Sequence, residues 1–188
     1  MQEQIRFVEL KDSTEILNIY TPYVLNTTIS FEYEPPSLSE FTERISNISS
    51  KYPYLVYERN GKLLGFAYGS SYQERIAYLY DADLSIYLAP DAQNSGIGKK
   101  LYSCLLDLLQ KQGFYNVYAC ITANNQRSID FHAAFGFRNL GPHPKAGYKF
   151  GQWLDIIWMD KQLQQPDGSP QPLKPIDGFN NNDILKLF

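Results

Sequence analysis

The sequence predicts a single mixed α/β domain in which helices cover both faces of one sheet. Apolar residues follow a strand period in some segments and a helix period in others, so strands and helices interleave along the chain. The pair Asn60-Gly61 separates two apolar runs, as in a tight hairpin. Gly113 and Gly136 follow two of the helical patterns, where glycine commonly ends a helix.

The first elements are a short strand over residues 5–8 and a helix that starts after Asp12. Glu15 follows Asp12 by three residues, which predicts a capping box. Pro22 predicts a kink or an end of this helix. Residues 27–31 are expected to form an extended loop. The apolar face of the helix consists of Ile16, Tyr20 and Val24.

A second helix is predicted to start at Ser37, with Glu40 three residues later. Its apolar positions follow the helix period. The hairpin strands cover residues 54–58 and 63–68. The second half of the chain then predicts an extended stretch over 76–88, a helix over 98–112, a strand over 117–121, a helix over 126–135 and a last strand over 153–159.

Composition narrows the class of protein. The chain has 188 residues, 44% of them apolar, and a net charge of −3, which gives no electrostatic support for binding nucleic acid. No window has the apolar length of a membrane-spanning helix, and the first residues do not resemble a signal peptide, so a cytoplasmic protein is expected. Cys104 and Cys120 lie in apolar runs and predict buried side chains, with no metal site and no disulfide.

The character of the chain changes near residue 163. Four prolines fall within ten residues among Gly, Ser, Gln and Asp, which is typical of a segment without its own core. We therefore predict a domain over residues 1–162 and a Pro-rich tail over 163–188. The apolar end of the tail, 184–188, could dock on the domain.

The most informative segment is a glycine turn between a strand and a helix. Gln93, Gly96 and Gly98 follow the strand that ends at Leu88. Glycines there allow positive φ and close ligand approach, and the free amides at a helix start favour an anion such as a pyrophosphate. Leu101 stands where a dinucleotide fingerprint needs glycine, and the spacing also excludes a P-loop. A plain glycine turn remains the alternative.

The pattern Gln-x-x-Gly-x-Gly after an extended strand resembles the acyl-CoA pyrophosphate loop of the GNAT superfamily. The resemblance implies a mostly antiparallel sheet and acetyl-CoA as co-substrate, with the strand before the loop lining the pantetheine arm. A second segment, Asn125 to Ser128, resembles the family's other CoA contact. The implied cofactor-binding residues are Ile86, Tyr87, Leu88, Gln93, Asn94, Ser95, Gly96, Ile97, Gly98, Lys99, Asn125 and Ser128.

Other segments resemble the phosphinothricin and methionine sulfoximine branch of that superfamily. They are residues 27–31, 77–78 and 147–155. The resemblance implies acetyl transfer to the α-amine of a small amino acid or analogue, and the branch is usually dimeric. Two alternatives remain: the same chemistry on another amine, such as a polyamine, an antibiotic or a protein N-terminus, or a non-catalytic acyl-CoA-binding module.

Asp83 and His132 are the implied catalytic residues. Asp83 stands where the branch carries a glutamate as general base, and its shorter side chain favours a water relay. Asp81 lies on the same strand face and would raise one of the two pKa values; a solvated pair is the alternative. His132 as imidazolium would protonate the leaving thiolate, unless it is simply packed in its helix. The amide of Tyr87 or Leu88 is the implied oxyanion donor.

Arg75 is implied to pair with an acidic group of the acceptor, since a guanidinium suits carboxylate or phosphinate. An exposed loop arginine is the alternative. The aromatic side chains of Phe31, Tyr78 and Tyr148 are expected to wall the pocket for this small-molecule amine.

Overall fold

The computed structural model describes residues 2–185, which form one seven-stranded sheet flanked by helices. The strands are β1 (Glu3–Phe7), β2 (Tyr54–Arg59), β3 (Lys62–Ser71), β4 (Asp81–Leu88), β5 (Asn116–Thr122), β6 (Arg138–Lys149) and β7 (Gln152–Gln162). The helices are α1 (Ser13–Asn26), α2 (Leu38–Ser49), α3 (Ile97–Gln112), α4 (Gln126–Ala134) and α5 (Asn181–Leu185). The strand order is β1-β2-β3-β4-β5-β7-β6, and only β4 and β5 are parallel neighbours. The predicted mixed, mostly antiparallel fold is confirmed.

Different helices cover the two faces of the sheet, because side chains alternate along each strand. On β3, Phe66 faces α1 and lines a cavity with Tyr20. Gly69 faces the other side, where an added Cβ would lie 3.2 Å from Leu109 of α3. The missing side chain at this position therefore lets α3 lie close to the sheet. Helix α4 packs beside α3.

Helix α1 continues through Pro22 to Asn26, so the predicted end at this proline is wrong, whereas the alternative of a kink stays a prediction. A proline in a helix removes one backbone hydrogen bond and crowds the preceding turn. Here Tyr20 and Val24, on either side of it, are both buried in the core. Their burial holds the helix together across the proline.

The predicted capping box of α1 is also wrong. Asp12 precedes the helix, but its carboxylate accepts two hydrogen bonds from the Arg6 guanidinium, at 2.7 and 2.9 Å. Glu15 instead accepts from the amide of Leu63 at 3.0 Å. The buried Arg6 cation requires a paired anion, and this requirement outweighs the helix cap.

The turn signals in the sequence were more reliable. Asn60 and Gly61 both have positive φ, at 50° and 79°, and join β2 to β3. Ser37 accepts from the Glu40 amide at 3.2 Å and caps α2. Gly113 ends α3 with φ of 112°. These predictions are confirmed.

Two stretches differ from their predictions. Residues Ile76–Tyr78 form a turn of 3-10 helix, and the expected long strand begins only at Asp81. Strand β6, which contains Pro142, was not predicted as a strand of its own. It lies at the edge of the sheet with an irregular register, where the missing amide of a proline is tolerated.

The segment after β7 packs along the surface of the domain. The Lys174 amide donates to the Gln112 carbonyl at 2.8 Å, and the Phe7 amide donates to Asn181 Oδ1 at 3.0 Å. Ile184 is fully buried in the core, whereas residues 186–188 of the expected docking end lie outside the described residues. Among the described helices, none is long and apolar enough to cross a membrane.

Candidate active site

The centre of the candidate site is an opening between β4 and β5. The two strands pair only where residues 81–83 meet 116–118. Beyond that point the two strands separate. A cavity of about 60 Å³ lies between residues 84–87 of β4 and residues 119–122 of β5. Cys120 is exposed at this opening, so the prediction that it is buried is wrong, whereas Cys104 is buried. A separation of this kind gives a ligand access to strand amides inside the sheet.

The direction of the β4 amides decides which of them face this opening. The Ala89 amide donates to the Leu64 carbonyl of β3 at 2.9 Å. Amides alternate along a strand, so those of Leu88 and Ile86 face the opening and that of Tyr87 faces β3. Of the two predicted oxyanion donors, Leu88 therefore has the right orientation and Tyr87 does not. The Leu88 amide lies 3.4 Å from the hydroxyl of Tyr23.

The glycine turn leads from β4 into α3 with a backbone open to anions. Asn94 and Gly96 have φ values of 62° and 82°, and α3 begins at Ile97. The first amides of a helix have no acceptor within the helix, and the helix dipole adds positive potential there. Residues 94–96 are exposed, so a pyrophosphate can reach these amides. Ile97 itself is buried and offers only its backbone.

A groove of about 200 Å³ continues from this loop to the start of α4. It is lined by six of the predicted cofactor residues, which are Ile86, Leu88, Gln93, Gly98, Asn125 and Ser128. The predicted Asn94, Ser95, Gly96, Ile97, Lys99 and Tyr87 are not part of this lining.

Sequence reasoning did not assign four residues of the groove to the cofactor, which are Tyr23, Ile29, Arg127 and Phe131. The Arg127 guanidinium donates to Gln93 Oε1 at 2.6 Å and to Asn94 Oδ1 at 3.1 Å. It thereby joins the glycine turn to α4. Its position between Asn125 and Ser128 was the signal that could have identified it.

Asn125 and Ser128 begin α4 as a hydrogen-bonded cap. Asn125 Oδ1 accepts from the Ser128 amide at 3.2 Å, and the Ser128 hydroxyl lies 3.4 Å from His132 Nδ1. The cap fixes the first turn of α4 beside the groove. Asn125 therefore has a structural task there as well as its place in the lining.

Asp83 is the last β4 residue before the strands separate. Its Oδ1 is buried and has no hydrogen-bond partner among the described residues. Burial raises the pKa of this carboxyl to about 7. The direction agrees with the prediction, but the cause differs, because desolvation and not the charge of Asp81 dominates. Asp81 instead accepts from Asn116 Nδ2 at 2.9 Å.

His132 is 3% exposed and lies beside the opening. Its Nδ1 is 2.7 Å from the Ser128 carbonyl, which assigns the proton to Nδ1 and leaves Nε2 as an acceptor. The rings of Tyr102, Phe131 and Phe137 surround it. Burial lowers the pKa of His132, so the imidazole is neutral near pH 7. These surroundings disfavour the imidazolium on which its predicted role as a proton donor depends.

Two of the predicted pocket residues come together across the sheet edge. The Phe31 ring lies against Gly147, where any Cβ would clash with it. The neighbouring Tyr33 hydroxyl donates to the carbonyl of Tyr148. Phe31 and Tyr148 are both partly exposed, at 39% and 49%, so their rings are accessible.

The other two lie on the segment before β4. Tyr78 contacts Tyr72 edge to face, and Tyr72 stacks on Tyr118 with ring centroids 3.9 Å apart. Tyr118 is the register partner of Asp83 in the β4–β5 pairing, so these three rings lie beside the strand that carries Asp83. Arg75 is exposed at the start of the 3-10 turn, and its guanidinium makes no hydrogen bond or ion pair with residues 2–185. Its carbonyl accepts from the Tyr78 amide at 2.9 Å, so the structure places Arg75 beside Tyr78.

The pattern of strands, opening and glycine turn can be compared with known proteins. The profile of the acetyltransferase (GNAT) domain matches residues 5–158. The chain belongs to the GNAT acetyltransferase family. It is accordingly an acetyl-CoA-dependent N-acetyltransferase.

Several relatives of this GNAT protein are substantially similar in sequence. It is 36% identical to the phosphinothricin N-acetyltransferase of Alcaligenes faecalis, over 87% of this chain and 84% of that one. It is 32% identical to the L-methionine sulfoximine/L-methionine sulfone acetyltransferase of Salmonella typhimurium, over 86% and 95% of the two chains.

Solved structures of GNAT proteins have the same architecture. The phosphinothricin acetyltransferase of Sinorhizobium meliloti in complex with AcCoA is 34% identical, with a TM-score of 0.85 over 94% of this chain and 99% of that one. A ribosomal-protein-alanine N-acetyltransferase from Brucella melitensis is 30% identical, with a TM-score of 0.82 over 84% and 98%.

Proposed function

We propose that this chain acetylates the α-amine of a small amino acid or amino-acid analogue. The observation that carries the proposal is the buried Oδ1 of Asp83, which has no hydrogen-bond partner among the described residues and lies at the point where β4 leaves β5. A group poised there can take a proton from an amine next to a thioester in the opening. The phosphinothricin and methionine sulfoximine acetyltransferases named above support the acceptor class.

The described residues fit acetyl-CoA as the acetyl donor. In this proposal the amides of residues 97–99 and the exposed backbone of 94–96 bind the pyrophosphate. The groove lined by Leu88, Arg127 and Ser128 takes the pantetheine arm. Acetyl-CoA supplies an activated acetyl thioester, and no residue of the scheme requires a metal.

Asp83 acts as the general base in this scheme. A base is most effective when its pKa lies near the working pH, and a pKa of about 7 meets that condition. Because aspartate is one methylene shorter than glutamate, a water relays the proton from the amine. The Leu88 amide donates to the oxygen that becomes negative in the transition state. His132 orients the start of α4 and supplies no proton, so CoA leaves as the thiolate and takes its proton from water.

The acceptor is bound, in this proposal, between Phe31, Tyr78 and Tyr148, with its acidic group towards Arg75. An exposed guanidinium contributes about 1 kcal/mol or less to such a pair, because water screens it. The selectivity that Arg75 gives is therefore about fivefold or less. This is far less than a buried arginine would give.

The test gives the purified protein acetyl-CoA and a panel of acceptor amines. The measured quantity is the rate at which the CoA thiol is released. We expect methionine sulfone and phosphinothricin to be acetylated faster than a plain amine, which is the analogue of methionine sulfone without its carboxylate. Arg75→Ala should lower kcat/KM for the amino acid by about two- to fivefold and leave the plain amine unchanged. Lys51→Ala, at another exposed cation, is the control. Equal loss on both acceptors would contradict the role of Arg75.

A second acceptor class is a protein N-terminus, which the likeness to the ribosomal-protein-alanine N-acetyltransferase favours. A peptide with an N-terminal alanine belongs in the same panel. Should that peptide or a polyamine exceed every amino acid in kcat/KM, the acceptor class proposed above is wrong.

We also propose a cytoplasmic homodimer without nucleic-acid or membrane partners. The exposed apolar side chains of Tyr148, Phe150 and Trp153 on the β6–β7 hairpin support a dimer, with 49%, 54% and 61% of their surface accessible. Sedimentation of the purified protein tests its oligomeric state.

A further inference from the structure

Lys149 ends β6 with its ammonium inside the protein. The residue is 2% exposed. Its Nζ donates to the carbonyls of Val24, Thr27 and Ser30 at 2.7, 2.9 and 2.6 Å. A lysine ammonium has three protons, and here every one of them has an acceptor. The buried cation is thus fully satisfied by carbonyls, and it forms no ion pair with a carboxylate of residues 2–185.

The three carbonyls belong to the end of α1 and to the loop that follows it. The last carbonyls of a helix lack partners within the helix and carry the negative end of its dipole, which a cation stabilises. Lys149 therefore ties the end of α1 to a loop that has no regular structure of its own. Further hydrogen bonds also hold this loop. Thr122 donates to the Thr28 carbonyl at 2.9 Å, the Thr28 hydroxyl donates to Asn124 Oδ1 at 3.3 Å, and Tyr20 shares a hydrogen bond of 2.8 Å with Ser30.

This loop borders the candidate site on two sides. Ile29 lines both the opening between the strands and the groove. Phe31 lies against Gly147, two residues before Lys149 on β6. One ammonium therefore fixes the loop that carries Phe31 and the strand against which Phe31 packs.

We propose that Lys149 is a positioning residue for the acceptor amine, acting through residues 27–31. It touches no substrate in this scheme; it holds Phe31 and Ile29 at the distance from Asp83 that the acceptor needs. The inference rests on the proposed function only in assuming that the acceptor lies against Phe31.

The test compares Lys149→Met with the parent enzyme, using whichever amine the parent accepts best. Misplacement of a binding wall by about 1 Å costs on the order of 100-fold. We therefore expect kcat/KM for the amine to fall about 10- to 100-fold, chiefly through a higher KM. The KM for acetyl-CoA should rise by a clearly smaller factor, since Ile29 is the only part of this loop in the lining of the groove and the glycine turn is unaffected.

Leu109→Ala is the control for general destabilisation, because Leu109 is buried on the opposite face of the sheet. It should lower the melting temperature without the change in acceptor KM. An equal rise of both KM values in Lys149→Met, or a rise of neither, would overturn the inference. If the parent enzyme accepts only amines that are not amino acids, the proposed acceptor class is wrong. The comparison of Lys149→Met with the parent remains valid, because it uses the amine that the parent accepts.

A double-mutant cycle separates positioning from a purely structural role. If Lys149 acts through Phe31, the Phe31→Ala enzyme should lose little more acceptor affinity when Lys149→Met is added. Additive losses would mean that Lys149 acts elsewhere. Lys149→Gln keeps N–H donors and is the variant to use if Lys149→Met does not fold. It should raise the acceptor KM by a smaller factor in the same direction, and an unchanged KM would again overturn the inference.

Discussion

The burial of the Asp83 carboxyl has two consequences, one for the stability of the fold and one for the reactivity of the group. It lies in a strand with Oδ1 buried and unpartnered among the described residues, which costs folding free energy whenever it is ionised. The same burial raises its pKa to about 7 and so makes it a useful base near neutral pH. The price in stability and the gain in reactivity therefore have one physical cause.

Asp83→Asn should reveal both effects. Turnover should fall by about 100- to 10,000-fold, the range of a general base, with little change in acetyl-CoA binding. In the parent, kcat/KM should decrease as the pH falls below about 7, where Asp83 becomes protonated, and the variant should lack this limb. A pH–rate profile of both enzymes is the measurement. Activity within about twofold of the parent would exclude Asp83 as the base and make Asp81 the candidate.

The stability of the same variant has a predictable pH dependence. The folded pKa is above the unfolded one, so Asp83 costs nothing below about pH 4, and its cost grows until the pH passes about 7. Asp83→Asn should therefore raise the melting temperature at pH 8 and leave it nearly unchanged at pH 4. A gain of the same size at both pH values would mean that desolvation is not the cause of the raised pKa.

The sequence located Asp83 and most of the groove residues by their motif, but not their surroundings. Burial of Asp83 depends on neighbours from other strands, and no local pattern shows it. The neutral state of His132 depends in the same way on rings from α3 and from the chain after α4. The buried position of Lys149 is the hardest of these features to predict from the sequence, since its three acceptors are more than a hundred residues away along the chain.

At the scale of elements, the glycine turn depends on backbone conformation more than on side chains. Gly96 precedes α3 with φ of 82°, and a Cβ there would meet nothing within 4 Å among the protein atoms. A side chain would thus be opposed by the left-handed backbone and by a bound pyrophosphate, not by the protein. Gly61 in the β2–β3 hairpin has nearly the same conformation, at 79°, with equally open surroundings.

This similarity provides a matched pair of variants. Gly96→Val and Gly61→Val each place a branched residue in the left-handed region, which costs about 1–2 kcal/mol. We expect similar losses of stability. Only Gly96→Val should raise the KM for acetyl-CoA, by about 10- to 150-fold if it removes one hydrogen bond to a charged phosphate. Equal KM values in the two variants would refute the placement of the pyrophosphate.

Elements that end in a strong local signal were predictable from the sequence. The hairpin at Asn60-Gly61 and the end of α3 at Gly113 depend on residues that favour positive φ wherever they occur. The continuation of α1 through Pro22 and the edge strand β6 depend on tertiary contacts instead. Packing of α1 on the core and the position of β6 at the edge of the sheet outweigh the local preference of proline.

At the scale of the whole molecule, the segment after β7 completes the core. Strand β1 is the edge of the sheet opposite β6, and its outer side would otherwise expose free amides. The Asn181 side chain accepts from the Phe7 amide there at 3.0 Å, and the Lys174 amide donates to the Gln112 carbonyl at the end of α3 at 2.8 Å. The segment thus lies against both β1 and α3, away from the opening between β4 and β5.

Ile184→Ala in the full-length chain should therefore reduce stability and leave catalysis intact. Ile184 is fully buried, and truncation of such a side chain costs about 2–5 kcal/mol. For a domain of this size, that corresponds to a fall in melting temperature of about 4–20 °C. The KM for acetyl-CoA and for the amine, measured well below the transition, should not change. Ile76→Ala is the matched control, since Ile76 is 80% exposed and its truncation should alter stability by less than about 0.5 kcal/mol. If the two variants melt at the same temperature, the segment after β7 adds nothing to the core; if Ile184→Ala instead alters either KM, it communicates with the active site.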